Sequence, residues 1–296
     1  MTASSFGPQY LPDDDFKRRA RLHQSRYRVE QLGASEFREY GNRLSTADAL
    51  AGRNFCAWPG MMDAVAKRFP LEDKKLYFDM LASDHIPFNL FIPLKGHAAT
   101  IPLVSNWANV DVSEIETIEI EWAPAPKNQF LDDSTSFDAY IAYRTRDGSL
   151  GAVGVEVKFT EREYSWGTTE RARMFDPNSH YNVVHQASQL YAPNSLQYLQ
   201  TPRLKQLWRN QLLGESMLQH RALNLSHFTS VLIHPAGNTH FSTAAQEYQQ
   251  LLAPTPARAP FRSLTYETFI GHCRGYATSA QYLSWIEYLT QRYIVA

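Results

Sequence analysis

Three stretches in the middle of the chain alternate apolar and polar residues with the two-residue period of a β-strand. They cover residues 115–122, 137–143 and 151–160, and polar or proline-rich segments separate them. After a long polar and aromatic stretch, residues 204–218 have helical spacing, and residues 228–234 have the composition of a buried strand. The pattern therefore predicts three consecutive strands, a helix and a fourth strand.

Helical patterns flank this group at both ends. Residues 13–31 begin with Asp13-Asp14-Asp15, which suits a helix N-terminus, and residues 71–94 have mostly helical, apolar spacing. Residues 255–260 are proline-rich and predict a connection, and residues 282–293 have the pattern of a closing amphipathic helix. The order of elements predicts an α/β fold with helical additions at both ends.

The first predicted helix is strongly basic. Its basic side chains could contact phosphates, although a run of charges more often lines a solvated helix face. The residues concerned are Lys17, Arg18, Arg19, Arg21, Arg26 and Arg28.

Composition restricts the class of protein. The chain has 296 residues, of which 44% are hydrophobic, so it can bury a sizeable core. No apolar stretch approaches the roughly 20 residues that span a membrane, and the start has no signal-peptide pattern, so we expect a cytoplasmic protein. Cys56 and Cys273 offer neither a zinc cluster nor a disulfide framework, and we expect buried free thiols. With a net charge of −1, the chain would need local basic patches to bind nucleic acid.

The third predicted strand places two opposite charges on one face. Glu156 and Lys158 share that face, and burying them costs several kcal/mol unless they are paired or bind a ligand. A bound cation or a bound phosphate could be the partner that this pair of charges needs. The opposite face carries Val153, Val155, Val157 and Phe159.

The preceding strand contributes a third charged residue, Asp138. The residues Arg146-Asp147-Gly148 suit a three-residue hairpin loop, which pairs Thr145 with Ser149. In that register Asp138 lies directly opposite Glu156, with side-chain carbons about 5 Å apart. A two-residue loop would shift the register by one and send the two carboxylates to opposite faces of the sheet.

Two carboxylates this close repel each other unless a cation lies between them. Oxygen ligands with open water positions suit Mg²⁺ or Mn²⁺, which would activate water for attack on a phosphate. Lys158 would orient or deprotonate that water, or stabilise the phosphate, and the sequence does not separate these roles. The carbonyl of Val157 is a further candidate metal ligand. A structural salt bridge is the alternative for Glu156 and Lys158, but the register and the apolar setting favour catalysis.

These residues resemble the motif of the PD-(D/E)xK nuclease superfamily, with Asp on the second core strand and ExK on the third. The resemblance implies a restriction-endonuclease-like core of helix, three-stranded meander, helix and strand. A longer set of segments resembles an uncharacterised bacterial branch of the superfamily. We therefore expect residues 1–54 to form a helical extension and residues 55–296 a nuclease-like domain. The segments are Phe88-Asn89-Leu90-Phe91-Ile92-Pro93-Leu94, Phe137-Asp138-Ala139, Val155-Glu156-Val157-Lys158-Phe159-Thr160-Glu161, Trp208-Arg209-Asn210-Gln211 and Arg292-Tyr293.

The resemblance also implies residues near the metal outside the two strands. A polar residue on the helix after the ExK strand is expected there, and Gln211 and Arg209 are the candidates, although a buried Gln211 could instead cap backbone groups. A further acidic ligand is expected from the first helix or strand. Glu121 is our choice, with Glu119 on the same face as its rival.

The segment of residues 162–203 leaves the sheet directly after the ExK strand and could cover the substrate. Its aromatic and basic side chains would stack on bases and hold phosphates, or would simply fasten a long loop to the core. These residues are Tyr164, Trp166, Arg171, Arg173 and Tyr181.

Three classes of function are open to a chain with these features. The first is a metal-dependent nuclease acting on DNA rather than RNA, in bacterial defence or DNA processing, as a homodimer if both strands are cut. The second is a catalytically inactive nucleic-acid-binding or scaffold protein, which would have no reason to retain all three core charges. The third is another enzyme on an unrelated α/β fold, but the chain has neither a glycine-rich phosphate loop nor a Gly-x-Ser-x-Gly motif. The nuclease is the function we expect.

Overall fold

A computed structural model describes residues 6–70, 74–254 and 260–295. Helices cover both faces of a five-stranded sheet, so the fold is α/β. The strands are β1 Val112–Trp122, β2 Phe137–Thr145, β3 Leu150–Val157, β4 Leu225–His234 and β5 Phe261–Thr265. The helices are α1 Asp15–Glu30, α2 Thr46–Leu50, α3 Met61–Arg68, α4 Lys75–Phe78, α5 Ile86–Phe91, α6 Thr100–Ala108, α7 Thr168–Phe175, α8 His180–Ser188, α9 Leu196–Leu199, α10 Lys205–Gln219, α11 Thr239–Gln250, α12 Tyr266–Arg274 and α13 Ala280–Tyr293.

The strands lie in the sheet in their order along the chain. β1, β2 and β3 form an antiparallel meander, and β4 and β5 extend it in parallel. The predicted order of helix, three strands, helix and strand is confirmed, and β5 is an addition that the pattern did not predict. β5 has only five residues and one strand neighbour. The connection predicted at residues 255–260 lies outside the described part of the chain, except for Pro260.

Each face of the sheet has its own apolar core. One core joins the sheet to α1, α5, α6, α12 and α13. The other joins it to α8, α10 and α11. Because both faces are covered, side chains on either face of the central strands are removed from water, which makes any charge there costly unless it has a partner.

The segment expected to be mostly helical before β1 is broken into short pieces. Between residues 74 and 94 only α4 and α5 are helical, apart from one 3₁₀ turn, and residues 71–73 lie outside the described part. Pro87 lies in the first turn of α5 and Pro93 in the 3₁₀ turn, where a missing N–H is tolerated. Leu76 and Met80 are buried, as their apolar character indicated.

The basic residues of α1 do not share one environment. Asp14 caps the helix by accepting the Lys17 N–H at 2.9 Å. Arg21 is buried and pairs with Asp13 at 2.5 Å, whereas Arg28 is fully buried and donates to backbone carbonyls, including that of Gly41 at 2.7 Å. Arg21 and Arg28 therefore stabilise the fold, and neither alternative considered for the basic run applies to them.

The N-terminal region packs against the end of the chain. Phe16 and Ala20 belong to the same core as α13, and Gln24 donates to the carbonyl of Arg292 at 2.6 Å. The division at residue 54 stays a prediction. Cys56 and Cys273 are buried free thiols, as expected. In the described part, no helix is both long enough and apolar enough to cross a membrane.

Candidate active site

The hairpin between β2 and β3 has the predicted three-residue loop. Thr145 donates to the carbonyl of Ser149 at 3.0 Å, and Gly148 adopts a left-handed φ of 86° that glycine tolerates. Further along the hairpin, Ala139 pairs with Val155. Continuing this register by one residue places Asp138 opposite Glu156 on the same face.

Three charged side chains meet in one polar cavity of about 290 Å³, which we call the acidic cavity. Asp138, Glu156 and Lys158 all line it. The Lys158 ammonium lies 2.5 Å from Glu156 Oε1, and both side chains are almost completely buried. Asp138 Oδ2 accepts the N–H of Val157 at 2.6 Å, which fixes the aspartate beside the ExK strand. The structure thus brings together the three residues that the sequence selected.

The acidic cavity contains more carboxylates than Asp138 and Glu156. Asp84 and Glu121 also line it. Burial and the charge of Glu156 raise the pKa of Asp138 well above its usual value, and burial with the charges of Glu156 and Asp84 raises the pKa of Glu121 to about 7. Burial and the charge of Glu161 also raise the pKa of Asp84. The cavity therefore crowds carboxyl groups together, and a bound cation would relieve the repulsion between their ionised forms.

Glu121, and not its rival Glu119, reaches the acidic cavity. Glu121 has a left-handed φ of 53°, which is uncommon for a residue other than glycine, and accepts the Ser136 hydroxyl at 3.4 Å. Glu119 lies opposite Tyr140, contacts Thr117, and does not line the cavity. An outlying backbone conformation beside a cavity is typical of functional sites.

Helix α10 holds the Glu156 carboxylate through two amides that the sequence did not single out. Gln206 Nε2 donates to Glu156 Oε1 at 2.6 Å, and Asn210 Nδ2 donates to Oε2. The spacing of four residues places both amides on one helix face. A polar pair at this spacing, next to the ExK strand, is the signal that could have identified them.

Gln211 does not line the acidic cavity. It is completely buried, and its Nε2 donates to Glu215 Oε1 at 3.0 Å. Residue 211 is one position beyond Asn210, so its side chain leaves the helix about 100° further round. The structure therefore does not bring Gln211 to the acidic cavity, and Gln206 and Asn210 contact Glu156 instead.

Arg209, the other candidate on α10, does line the acidic cavity. Its guanidinium contacts Glu170 Oε1 at 2.7 Å through one terminal nitrogen and Asp133 Oδ2 at 2.8 Å through the other. The second nitrogen also donates to Thr135 Oγ1 at 2.6 Å. Arg209 is thus held between the β1–β2 connection and α7.

Of the aromatic and basic residues in the segment after β3, only Tyr164 lines the acidic cavity. Its side chain is half-exposed, and its ring centroid lies 5.6 Å from the Lys158 ammonium. The ring of Trp166 packs against the Lys205 ammonium, whose nitrogen lies 4.5 Å from the ring centroid. Arg171 and Arg173 are exposed, and Arg173 donates to the carbonyl of Asp132 at 2.7 Å. Tyr181 is buried and donates to Asp133.

The donors in the acidic cavity fit a hard divalent cation. They are carboxylate oxygens, which Mg²⁺ and Mn²⁺ prefer, and their pKa values are raised partly by mutual repulsion. Among the described residues, no three acidic, histidine or cysteine side chains are grouped closely enough to hold a metal by themselves. A cation bound by Asp138 and Glu156 would therefore retain several waters, as Mg²⁺ usually does.

Comparison with known proteins identifies the family. A model of the PD-(D/E)XK nuclease superfamily matches residues 12–295, nearly the whole chain. Searches of curated proteins and of solved structures found no match. Members of this superfamily generally hydrolyse phosphodiester bonds and typically use divalent metals. The chain belongs to the PD-(D/E)XK nuclease superfamily.

Proposed function

We propose that this protein is a metal-dependent nuclease that hydrolyses phosphodiester bonds in DNA. The observation that carries the proposal is the acidic cavity, where Asp138, Glu156 and Glu121 line the same space as the buried ammonium of Lys158. A surplus of carboxylates beside one cation suits a site that binds both a metal and a phosphate.

Asp138 and Glu156 would hold Mg²⁺ or Mn²⁺, with the Val157 carbonyl as a further candidate ligand. Glu121, which lines the same cavity but is not grouped closely enough with them to complete a three-carboxylate site, would contact the metal through one of its waters. The bound metal would lower the pKa of a coordinated water and stabilise negative charge on the phosphate. The raised pKa of Glu121, about 7, would fall when a cation is bound, so the carboxylate would be ionised in the working enzyme.

Lys158 would act mainly as a cation. Burial lowers the pKa of its ammonium, but the charges of Glu156 and Asp138 outweigh burial and raise it. A protonated Lys158 can donate to a phosphate oxygen or hold a water in line for attack, and it is a poor general base. Of the roles left open by the sequence, stabilisation and positioning are therefore favoured over proton abstraction.

Gln206 and Asn210 would position the Glu156 carboxylate. Each amide donates to a different oxygen of Glu156, so together they fix the plane of the carboxylate. The orientation of a metal-binding carboxylate affects both metal affinity and the rate of reaction.

The proposal is tested with labelled linear duplex, circular duplex and single-stranded DNA, and RNA, each with Mg²⁺, Mn²⁺ or EDTA. We expect metal-dependent cleavage of DNA by the wild type, and loss of at least about a hundredfold in Glu156→Gln. Glu119→Gln, outside the acidic cavity, is the matched control and should cut normally. Conversion of circular duplex to linear product would indicate cutting of both strands, so the oligomeric state is measured alongside.

Three other results would change the proposal. Cleavage of RNA alone would correct the substrate class and retain the mechanism. Tight binding of nucleic acid by the folded protein, with no cutting under any of these conditions, would favour the inactive scaffold protein. If Glu156→Gln still cuts at the wild-type rate, the reaction does not occur in the acidic cavity.

A further inference from the structure

Helix α10 holds two carboxylates side by side. Gln206 and Asn210 bind Glu156, as described above. Lys205 and Arg209, each one residue earlier, bind Glu170 from α7. The same helix turn thus presents a pair of amides to a catalytic-site carboxylate and a pair of cations to a carboxylate from outside the sheet.

Lys205 and Arg209 form a built site for an anion, which we call the Lys205–Arg209 site. Glu170 Oε2 lies 2.8 Å from Lys205 Nζ, and Glu170 Oε1 lies 2.7 Å from a terminal nitrogen of Arg209. The Lys205 side chain is only 5% exposed, although it is a lysine. Its ammonium also donates to the carbonyl of Ser165 at 3.1 Å. A buried ammonium is costly without an anionic partner.

The start of α10 adds to the attraction for an anion. Lys205 is the first residue of this 15-residue helix, whose first turn contains no acidic residue and whose N-cap, Leu204, provides no side-chain hydrogen bond. The partial positive charge of the helix N-terminus therefore adds to the charge of Lys205. In the free protein, Glu170 is the anion that pairs with the side chains of Lys205 and Arg209.

The helix that carries Glu170 buries little apolar surface. Of the eight residues of α7, only Met174 is buried. Burial raises the pKa of Glu170, but the hydrogen bond from Lys205 and the charge of Arg209 outweigh it and lower the pKa. Glu170 is therefore an ionised carboxylate, and moving it away from Lys205 and Arg209 exposes little apolar surface.

We propose that the Lys205–Arg209 site binds a backbone phosphate of the nucleic acid next to the phosphate that is cleaved, and that Glu170 occupies this site until the substrate displaces it. Arg209 joins the two sites because it also lines the acidic cavity. Its contacts with Asp133 and Thr135 would stay in place when Glu170 leaves. A phosphate offers more acceptor oxygens than a carboxylate and suits a guanidinium beside an ammonium. This inference rests on the proposed nuclease function and extends it to substrate binding.

The test is equilibrium binding of a labelled DNA oligonucleotide in EDTA, where metal-dependent cleavage is prevented. We expect Glu170→Gln to bind about fivefold more tightly than the wild type, because the competing charge is removed. Glu163→Gln, an exposed residue of the same segment, is the matched control for the change in net charge. Its affinity should change by less than about twofold. If both variants gain the same affinity, the proposal is overturned.

A second variant tests whether the gain in affinity comes from a phosphate that contacts Lys205 or only from a loosened α7. Lys205→Met in the Glu170→Gln background should cancel the gain in affinity and reduce the salt dependence of binding by about one phosphate contact. Melting curves establish that each variant is folded. A double variant that binds as tightly as Glu170→Gln alone would contradict a phosphate contact at Lys205.

These results are distinguishable from failure of the proposed nuclease. Tighter binding by Glu170→Gln, reversed by Lys205→Met, would support the Lys205–Arg209 site even if the protein never cuts. Metal-dependent cutting that requires Glu156, with no gain in affinity for Glu170→Gln, would overturn this inference and leave the nuclease intact. Absence of binding to DNA by every variant would overturn it as well.

Discussion

The acidic cavity and the surroundings of Arg292 both contain buried charge, and they differ in what surrounds that charge. In the acidic cavity, Glu156 and Lys158 face an open space together with further carboxylates. At the other cluster, Arg292 is completely buried and no carboxylate contacts it among the residues that the structure describes. Its guanidinium donates to Asn54 Oδ1 and, at 3.1 Å, to the hydroxyl of Tyr288.

The surroundings of Arg292 are filled by the protein itself. The guanidinium carbon lies between 5.3 and 5.7 Å from the centroids of three tyrosine rings. Asn89 joins the cluster by donating to the hydroxyl of Tyr293 at 2.7 Å, and the N–H of Cys56 donates to Asn89 at 2.8 Å. These bonds connect α5, α13 and the N-terminal region. The rings belong to Tyr27, Tyr288 and Tyr293.

The difference shows that a buried charge is not in itself a sign of function. The terminal nitrogens of Arg292 donate to acceptors that the protein provides and its guanidinium packs against aromatic faces, so that only its buried Nε has no hydrogen-bond partner among the described residues. The acidic cavity has open space and carboxylates with raised pKa values, so it remains electrostatically incomplete. We therefore expect substitutions in the cavity to affect activity and substitutions at Arg292 to affect stability.

The largest effect on activity is expected for Lys158→Met, which retains most of the side-chain stem and removes the charge. We expect the rate of DNA cleavage to fall at least about a hundredfold, because the phosphate loses a buried cation. Cleavage by wild type and variant is compared under single-turnover conditions at saturating metal. A folded Lys158→Met protein that cuts at the wild-type rate would contradict the assigned role.

Arg292→Met should show the opposite behaviour. The free energy of unfolding should fall by about 3 kcal/mol, because Asn54 and Tyr288 lose a buried hydrogen-bond donor and the rings lose a packed neighbour. Urea unfolding followed by tryptophan fluorescence measures this. At a temperature where the variant is folded, its cleavage rate should match the wild type. An unchanged midpoint of unfolding would mean that the Arg292 cluster is not a stabilising network.

The pH dependence of stability should reflect the acidic cavity. Glu121 has a pKa of about 7 in the folded protein and 4.5 as its ordinary value, so over this interval the folded state keeps a proton that the unfolded state releases. Its contribution to stability is complete below pH 4.5 and is lost as the pH rises to about 7. In EDTA, the melting temperature should therefore fall over this interval by more in the wild type than in Glu121→Gln. Equal slopes would contradict the raised pKa.

The smallest expected effect on the cleavage rate is the difference between substitutions at Asn210 and Gln211, which are adjacent on α10. Asn210→Ala should slow cleavage about tenfold, because Glu156 loses one of its two amide donors. Gln211→Ala should slow it less, because Gln211 bonds to Glu215 and not to a residue of the acidic cavity. The two variants are compared at several metal concentrations. The reverse order would restore Gln211 as the residue near the metal.

The sequence predicted those parts of the site that local rules determine. The loop Arg146-Asp147-Gly148 specifies the hairpin register, and register together with alternation places Asp138, Glu156 and Lys158 on one face. These inferences needed no knowledge of long-range packing. For the same reason, the four core strands were predicted close to their observed positions.

The remaining features depend on packing between distant segments. Most positions of α10 are buried, so its apolar pattern does not define one face, and the side turned toward Glu156 could not be deduced. Asp84 reaches the acidic cavity from the region between α4 and α5, and Glu170 reaches α10 from α7. Neither of these two contacts produces a periodic pattern in the sequence. β5 was missed because it is short and lies at an edge.

The most direct test of the central claim is DNA cleavage by Asp138→Asn, measured together with its melting temperature with and without Mg²⁺. The substitution preserves the shape of the side chain and removes one charge from the acidic cavity. We predict that cleavage is lost while the fold is retained, and that the rise in melting temperature on adding Mg²⁺ is smaller than in the wild type. Metal-dependent cleavage at the wild-type rate by folded Asp138→Asn would contradict the account, because the acidic cavity would then not be where the reaction occurs.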